Sequence, residues 1–167
     1  MDVTIGTTGC LERDTVNITI NVGPAVDLGN DTVICSYSNV TLDATFPTSS
    51  YLWNNGSNSS TLTVASSGTY WAQVTDINGC KRTDTVFITK NPLLTVDLGD
   101  DYYLCQGATT TLASSYSNGG FIWYGENGLL DSQPSQIVDT SGIYYLDYTD
   151  VYGCMASDTI VLLPTNL

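Results

Sequence analysis

Apolar and polar residues alternate along much of this chain with the two-residue period that is typical of half-buried β-strands. In residues 67–80 (SGTYWAQVTDINGC), Tyr70, Ala72 and Val74 form an apolar face, and a more polar face lies between them. The Asn-Gly pair that follows predicts a tight turn, and residues 83–89 predict the returning strand. The pattern therefore predicts an antiparallel hairpin with one face in a core.

This hairpin signature occurs twice, because residues 141–154 (SGIYYLDYTDVYGC) repeat it, and the ending TGC at 8–10 is a third, partial copy. VDLGND (26–31), a cysteine and a tryptophan of the first copy are matched 70 residues later by VDLGDD (96–101), Cys105 and Trp123, and the signature returns 74 residues later. A fixed period of this kind indicates a repeat protein. We therefore expect a hairpin remnant of a preceding repeat at 1–23, a first repeat at 24–90 and a second repeat at 91–167.

Strand signals separated by turn residues continue through both repeats, and no stretch has convincing helical periodicity. Val40, Leu42 and Ala44 predict the inward face of one strand, and Trp53 and Trp123 are expected in the cores. About seven short strands per repeat favour a two-sheet sandwich. The predicted fold class is all-β, with two β-sandwiches in tandem.

Two features of the spacing refine this picture. Because the offset between the repeats grows from 70 to 74 after Trp123, four residues are inserted before Ser141. We expect this insertion to be a polar loop at a sandwich edge, within residues 126–136. The join at 90–92 contains a proline and no Gly/Ser-rich spacer, so a stiff rod of domains is predicted.

The chain is strongly acidic, with 17 acidic and 4 basic residues, a net charge of −13 and no histidine. Phosphate recognition draws on Lys and Arg, so this composition argues against nucleic acid and anionic membrane surfaces as partners. No apolar run reaches 18 residues, and membrane insertion is not expected. The sequence contains no triad, phosphate loop or recognisable carboxylate pair, so we predict that the chain is not an enzyme.

Several of these motifs together carry a resemblance to a known class of proteins. VDLGND, TVIC, NVTLDA, YLWNNG, SGTYWAQVTD-NGC and TDTVFIT stand in this order in the first repeat, and the second repeat has their counterparts in the same order. In this each repeat resembles the PKD-like and Ig-like repeats of large surface proteins from Bacteroidetes, including gliding-motility adhesins. The resemblance implies tandem Ig-like or PKD-like β-sandwiches, type IX secretion, an extracellular location at the bacterial cell surface and neighbouring repeats as partners. It identifies no surface or glycan ligand.

The resemblance also implies O-glycosylation of the threonine in Asp-Thr-Val/Ile. This motif occurs at Thr15, Thr32, Thr85 and Thr159. The alternative is that these residues are ordinary strand sequence shared by the repeats.

Five cysteines at corresponding repeat positions favour disulfides over metal ligation and indicate an oxidising compartment. One alternative pairs them within repeats, as Cys35–Cys80 and Cys105–Cys154, leaving Cys10 unpaired. In an Ig-like sandwich, however, Cys35 and Cys80 lie at opposite poles, roughly 25 Å apart, whereas a disulfide needs Cα atoms within about 7 Å. In a head-to-tail rod Cys35 instead lies near Cys154 of the next domain. We favour this interdomain pair, with within-repeat pairs and free thiols as alternatives.

Two other kinds of residue are candidates for binding. Asp97, Asp100 and Asp101 lie near the predicted junction, where carboxylates can hold calcium, although aspartate is also a common turn residue. No other cofactor is expected. Trp71 and Tyr145 are expected to face outward, as cross-strand packing partners rather than as a platform for sugars.

The predicted function is therefore a non-catalytic stalk or spacer segment of a large exported surface adhesin. The alternative is a carbohydrate- or protein-binding module of a secreted multidomain protein. We would expect the site of such a module at the four-residue insertion.

Overall fold

The computed structural model describes residues 3–4, 11–12 and 15–165, and every regular element in them is a strand. None of the described residues forms a helix that is long and apolar enough to cross a membrane. Near the start of the chain, β1 (Val3–Thr4) pairs antiparallel with β2 (Leu11–Glu12). The other strands fall into two consecutive groups, each of which forms a two-sheet sandwich.

The first sandwich is built by β3 (Thr32–Ile34), β4 (Val40–Asp43), β5 (Ser50–Trp53), β6 (Thr61–Val64), β7 (Gly68–Thr75) and β8 (Lys81–Lys90). One sheet has the order β3-β8-β7-β5, and the other is the pair β4-β6. The first strand runs parallel to the end of the last, with Ile34 opposite Lys90. The core between the two sheets contains Leu28, Ile34, Leu42, Ala44, Trp53, Val64, Ala72, Val74, Val86 and Ile88.

The second sandwich is built by β9 (Tyr102–Leu104), β10 (Thr110–Ala113), β11 (Gly120–Gly125), β12 (Gly128–Leu129), β13 (Ser135–Val138), β14 (Gly142–Thr149) and β15 (Met155–Pro164). Its sheets are β12-β11-β14-β15-β9 and β10-β13. Strand β9 again runs parallel to the end of the last strand, with Leu104 opposite Pro164. Its core contains Val96, Leu104, Leu112, Phe121, Trp123, Val138, Tyr144, Leu146, Tyr148, Ile160 and Leu162.

The two cores have no residue in common, and the fold is all-β, with two Ig-like sandwiches in tandem. The alternation predicted from the sequence is confirmed, because Leu42 and Ala44 are buried while Thr41 and Asp43 between and beside them are exposed. In the second signature strand Tyr144, Leu146 and Tyr148 are all buried.

Both tryptophans predicted for the cores are there. Trp53 is 1% exposed and Trp123 is 0% exposed. Each indole N–H donates to a backbone carbonyl, of Ser59 (2.8 Å) in the first repeat and of Gln133 (2.9 Å) in the second. Because the polar edge of the ring is satisfied, the full apolar area of the side chain can be buried without an unpaired donor.

The insertion is not the polar loop that was predicted. The backbone N–H of Trp53 donates to Ser57 O, whereas that of Trp123 donates to Asp131 O, so the four extra residues lie between Trp123 and Asp131. They extend β11 into a tight hairpin with β12, in which Tyr124 pairs with Leu129. Backbone groups at an open sheet edge are satisfied by adding a strand, and Gly128, at φ +104°, permits the turn.

Strand pairing in the first repeat begins at β3. Residues 15–31 cross the first repeat without regular structure. Leu28 nevertheless enters the core, because its backbone N–H donates to Asp84 Oδ2 at 2.7 Å. A side-chain acceptor here replaces the backbone acceptor that a sheet would supply.

Candidate functional site at the joint between the repeats

A disulfide between Cys35 and Cys154 joins the two sandwiches, with a Cα–Cα distance of 5.4 Å across 119 residues of sequence. Cys35 directly follows β3, and Cys154 directly precedes β15. The structure therefore has the interdomain pair and neither within-repeat pair. Cys80, half-buried, and Cys105, exposed, are the free cysteines of the described residues. Cys10 lies outside the described residues.

The turn that presents Cys154 is held by one carboxylate. Asp150 Oδ1 accepts the backbone N–H groups of Tyr152 and Cys154, each at 2.8 Å. The backbone N–H of Asp150 in turn donates to Cys154 O at 2.9 Å. Gly153, at φ +81°, provides the left-handed residue that such a turn requires. The sequence Asp-x-x-Gly-Cys therefore places the sulfur at a defined point of this pole.

Two further side chains bridge the joint. The Nδ2 group of Asn91 donates to Asp150 Oδ2, and the backbone N–H of Asn91 donates to Ile34 O at 2.7 Å. Asn91 thus ties the link between the repeats to both of them. Beside the disulfide, the backbone N–H of Met155 donates to the hydroxyl of Tyr37 at 3.3 Å. A covalent bond and three hydrogen bonds therefore restrain the angle at which the sandwiches meet.

The same turn exists at the far pole of the first repeat. Asp76 Oδ1 accepts the backbone N–H groups of Asn78 and Cys80, each at 2.9 Å. Its backbone N–H donates to Cys80 O at 3.0 Å. This pole therefore presents an aspartate and a cysteine in the arrangement that the second repeat uses for the joint.

Four other carboxylates are hydrogen-bond acceptors within their own sandwich. Asp158 Oδ2 accepts the backbone N–H of Leu98 at 2.7 Å, as Asp84 does for Leu28. Asp31 and Asp101 accept the N–H groups of β8 and β15, from Phe87 and Val161 respectively, each at 2.8 Å. These four carboxylates therefore fix the first segment of each repeat to its last strand.

The calcium candidates are in part engaged in such bonds. Asp97 Oδ1 accepts the N–H of Gly99 at 2.9 Å, and Asp101 binds Val161 as described. Within the described ranges, no group of three or more acidic, histidine or cysteine side chains is placed to hold a metal ion. A calcium site at Asp97, Asp100 and Asp101 stays a prediction, which the melting temperature with and without calcium tests.

The glycosylation candidates Thr15, Thr32, Thr85 and Thr159 are all exposed. Thr32 uses its hydroxyl to donate to Asn30 O at 2.7 Å. The aspartates that precede Thr85 and Thr159 are the acceptors Asp84 and Asp158, so the Asp-Thr-Val/Ile motif also has a role in folding. Glycosylation stays a prediction, and the mass of the protein isolated from its native host tests it.

The outward aromatic residues pack across strands. Trp71 lies opposite Thr85, and Tyr145 lies opposite Thr159. Tyr145 also contacts Tyr124, with ring centroids 5.9 Å apart, and donates its hydroxyl to Asp147 Oδ1 at 2.5 Å. This hydrogen bond raises the pKa of Tyr145, because it stabilises the protonated phenol beside a carboxylate.

Sequence reasoning placed the correct cysteines together but missed Tyr37 and Asn91 as joint residues. Neither residue has a counterpart of the same type in the second repeat, where Gly107 and Thr165 occupy the equivalent places. Repetition identified the cysteines, but it could not identify Tyr37 and Asn91. The recurrence of Asp76 and Asp150 four residues before a cysteine was a usable signal for the carboxylate that holds the turn.

No protein-family model and no curated protein matches this chain. It is similar in structure to the IG1+IG2 fragment of DIP-gamma, at 11% identity and a TM-score of 0.46, covering 86% of this chain and 98% of that one. It is also similar to the titin I-band fragment I67–I69, at 14% identity and a TM-score of 0.47, covering 87% and 66%. For the insect immune protein hemolin the values are 13% and 0.44, covering 90% and 49%. The fold assignment itself rests on the strand pairing and the two cores.

Proposed function

We propose that this chain is a non-catalytic spacer segment of a long surface protein, in which successive sandwiches are joined head to tail into a stiff rod. The observation that carries the proposal is the Cys35–Cys154 disulfide between repeats. A crosslink at the joint restrains bending and separation without a large apolar interface. The bonds of Asn91 and Tyr37 across the same joint act in the same direction.

The location and wider context follow from the chemistry and from the resemblance of the repeats. A disulfide persists in oxidising compartments, which supports an extracellular position. The motif resemblance to Bacteroidetes gliding-motility adhesins supports export by type IX secretion and a place at the bacterial cell surface. The acidic composition supports a solvated, self-repelling surface, which suits a stalk that must not associate with itself sideways.

Small-angle X-ray scattering of the full chain tests the stiffness of the joint. The scattering of the oxidised protein should fit a single arrangement of the two sandwiches. The double variant Cys35→Ser/Cys154→Ser should require a range of arrangements, because only hydrogen bonds then hold the angle between them. Cys105→Ser is the matched control, because it removes a thiol away from the joint. Identical scattering from the oxidised protein and the double variant, with both sandwiches folded, would contradict the proposal.

A binding module is the second candidate, and one observation favours it. The inserted hairpin exposes Leu129 (69%) and Leu130 (41%). A cavity of about 400 Å³ lies beside it, lined by Gly125, Glu126, Asn127, Leu130, Thr140, Ser141 and Tyr144. The first repeat has no such hairpin at the equivalent turn, so a ligand held here would bind one repeat alone.

A further inference from the structure

The pole of the second repeat that carries Cys105 has the same backbone as the pole of the first repeat that forms the joint. Cys105 follows β9 as Cys35 follows β3, and each of these strands runs parallel to the end of the last strand. The turn after the cysteine is also the same. Ser38 N–H donates to Cys35 O at 2.9 Å, and Ala108 N–H donates to Cys105 O at 3.0 Å.

Among residues 15–165, no other segment covers this second pole. Cys105 is an exposed free thiol at a cavity of about 410 Å³. The cavity is lined by Leu104, Cys105, Gln106, Gly107, Asp139, Thr140, Ser141, Pro164 and Thr165. Gly107, at φ +79°, stands where the first repeat has Tyr37, and an added Cβ there would meet nothing within 4 Å. As far as the described residues go, the space beside the thiol is therefore free to receive another surface.

Within the part of the chain that the structure describes, the hydroxyl of Thr165 is an unpaired polar group at this pole. Thr165 follows Pro164, which pairs with Leu104, as Asn91 follows Lys90, which pairs with Ile34. The hydroxyl oxygen of Thr165 is buried and makes no hydrogen bond with the described residues. A buried hydroxyl without a partner is costly. In the occupied joint the residue at this position, Asn91, donates to Asp150.

The complementary half of such a joint is present on the first repeat. Cys80 is a free thiol, held after a turn in which Asp76 makes the hydrogen bonds that Asp150 makes in the second repeat. Asp76 Oδ1 is occupied by that turn, as Asp150 Oδ1 is. In the occupied joint it is the other oxygen, Oδ2, that accepts from the neighbouring repeat.

We propose that the Cys105 pole is a docking surface for the Asp-x-x-Gly-Cys turn of a further copy of this repeat. The occupant's cysteine bonds to Cys105. The side chain of Thr165 rotates towards the cavity that it lines, and its hydroxyl donates to the occupant's aspartate. This inference rests on the proposed function, because it assumes a rod of repeats and identifies the surface at which the next repeat attaches. Two thiols lose two protons and two electrons as the S–S bond forms, and a low-molecular-weight disulfide that accepts them is reduced to two thiols.

The test lengthens the full chain so that the docking surface is offered its partner. A copy of residues 22–91 is attached directly after Thr165, which reproduces the register in which Pro92 follows Asn91. Cys10 and Cys80 of the parent chain, and Cys35 of the attached copy, are replaced by serine. The thiols that can then pair beyond the existing joint are Cys105 and the copy's Cys80.

After equilibration with reduced and oxidised glutathione, a non-reduced digest with an Asp-specific protease is analysed by mass spectrometry. We expect a peptide that links Cys105 to the copy's Cys80, beside the Cys35–Cys154 peptide. Thr165→Val should lower the equilibrium constant for the new bond roughly tenfold, since it removes one hydrogen bond to a carboxylate. A matched Thr109→Val change, away from the cavity, should leave it unchanged.

Two outcomes separate this inference from the proposed function. Glutathionylated or free Cys105 together with an intact Cys35–Cys154 bond would overturn the docking surface and leave the rod. Loss of the Cys35–Cys154 bond as well would overturn both. Amide hydrogen exchange shows whether the attached copy is folded, and a second chain that carries residues 92–165 with Cys105→Ser as the copy repeats the test. The inference is wrong if a folded copy of either kind fails to crosslink.

Discussion

Single carboxylates hold distant segments of this chain together by accepting backbone hydrogen bonds. Asp84 and Asp158 each bind a backbone N–H from a segment 56 or 60 residues away, at 2.7 Å. The segments that they hold, around Leu28 and Leu98, have no strand pairing of their own. A charged acceptor makes a shorter and stronger hydrogen bond than a neutral one, so one side chain can replace part of a ladder.

Asp158→Ala should lower the free energy of unfolding of the second repeat by about 1–3 kcal/mol, because it leaves the partly buried N–H of Leu98 unpaired. Chemical denaturation followed by tryptophan fluorescence measures the change. Asp100→Ala is the matched control, since it also removes one carboxylate, and Asp100 is exposed and lies two residues from Leu98. Equal effects of the two substitutions would show that net charge, rather than the hydrogen bond, matters.

We expect the ionisation of Tyr148 to lower the stability of the second repeat at alkaline pH. The residue is 4% exposed, donates its hydroxyl to Asn118 O at 2.9 Å and stacks on Tyr116 with ring centroids 4.3 Å apart. Burial raises the pKa of Tyr148, because the phenolate is poorly solvated inside the sandwich. Since the folded-state pKa lies above the unfolded value of about 10, its contribution to stability is complete below that pH and is lost as pH rises through the folded-state pKa.

Denaturation curves from pH 8 to 11.5 test this prediction. Tyr148→Phe should be less stable than the native chain at pH 8, where it lacks the hydrogen bond to Asn118, and the difference should shrink as pH rises past 10. Phe121→Leu, a change in a neighbouring side chain that does not titrate, should give a constant difference. A constant difference for Tyr148→Phe would contradict the prediction.

At the scale of elements, the two repeats show how one sandwich accepts an insertion. In both repeats the tryptophan N–H groups bind the carbonyls that follow the turn, at Ser57 and Ser59 in the first and at Asp131 and Gln133 in the second. The four additional residues leave these bonds unchanged and form a hairpin at the sheet edge. Loop length costs little when the ends of the loop are fixed.

Deleting Gly125, Glu126, Leu129 and Leu130 should therefore preserve the fold, because it restores the spacing of the first repeat and keeps an Asn-Gly turn. We expect the free energy of unfolding to change by less than about 1 kcal/mol. The reciprocal graft of residues 124–130 in place of 54–56 is the control. Unfolding of the deletion variant would show that β12 is required for the sandwich, and loss of ligand binding with the fold intact would favour the binding module.

At the scale of the whole molecule, one disulfide joins two sandwiches that have separate cores. The cores have no residue in common, and the contacts that join the sandwiches include the disulfide and the hydrogen bonds of Tyr37 and Asn91. A joint of this kind restrains orientation but adds little apolar burial to either core. The stability of each sandwich is therefore expected to be its own.

Trp123→Ala should destabilise the second repeat by about 3–5 kcal/mol and leave the first repeat nearly unchanged. Amide hydrogen exchange measures protection in β7–β8 and in β14–β15 separately. Trp53→Ala is the reciprocal control and should lower amide protection in the first repeat alone. Loss of protection in both repeats from either substitution would show that the joint makes them one cooperative unit.

How much could be read from the sequence depends on the range of each interaction. Alternation within single strands predicted that Leu42 and Val74 face the core, and repetition predicted two sandwiches with Trp53 and Trp123 inside. These features are local or periodic, so the residues concerned report them directly. The extra strand in the insertion was missed, because a tight hairpin of two-residue strands is too short for alternation to show.

The sequence by itself determined that this protein is all-β, repeated, acidic and without histidine, since these are properties of composition and spacing. It also limited the cysteines to a few pairings. Only the tertiary structure decided that Cys35 meets Cys154, that Asn91 and Tyr37 complete the joint, and that Asp84 and Asp158 bind backbone groups far along the chain. Contacts between poles depend on how two finished sandwiches are oriented, and no local pattern of residues encodes that orientation.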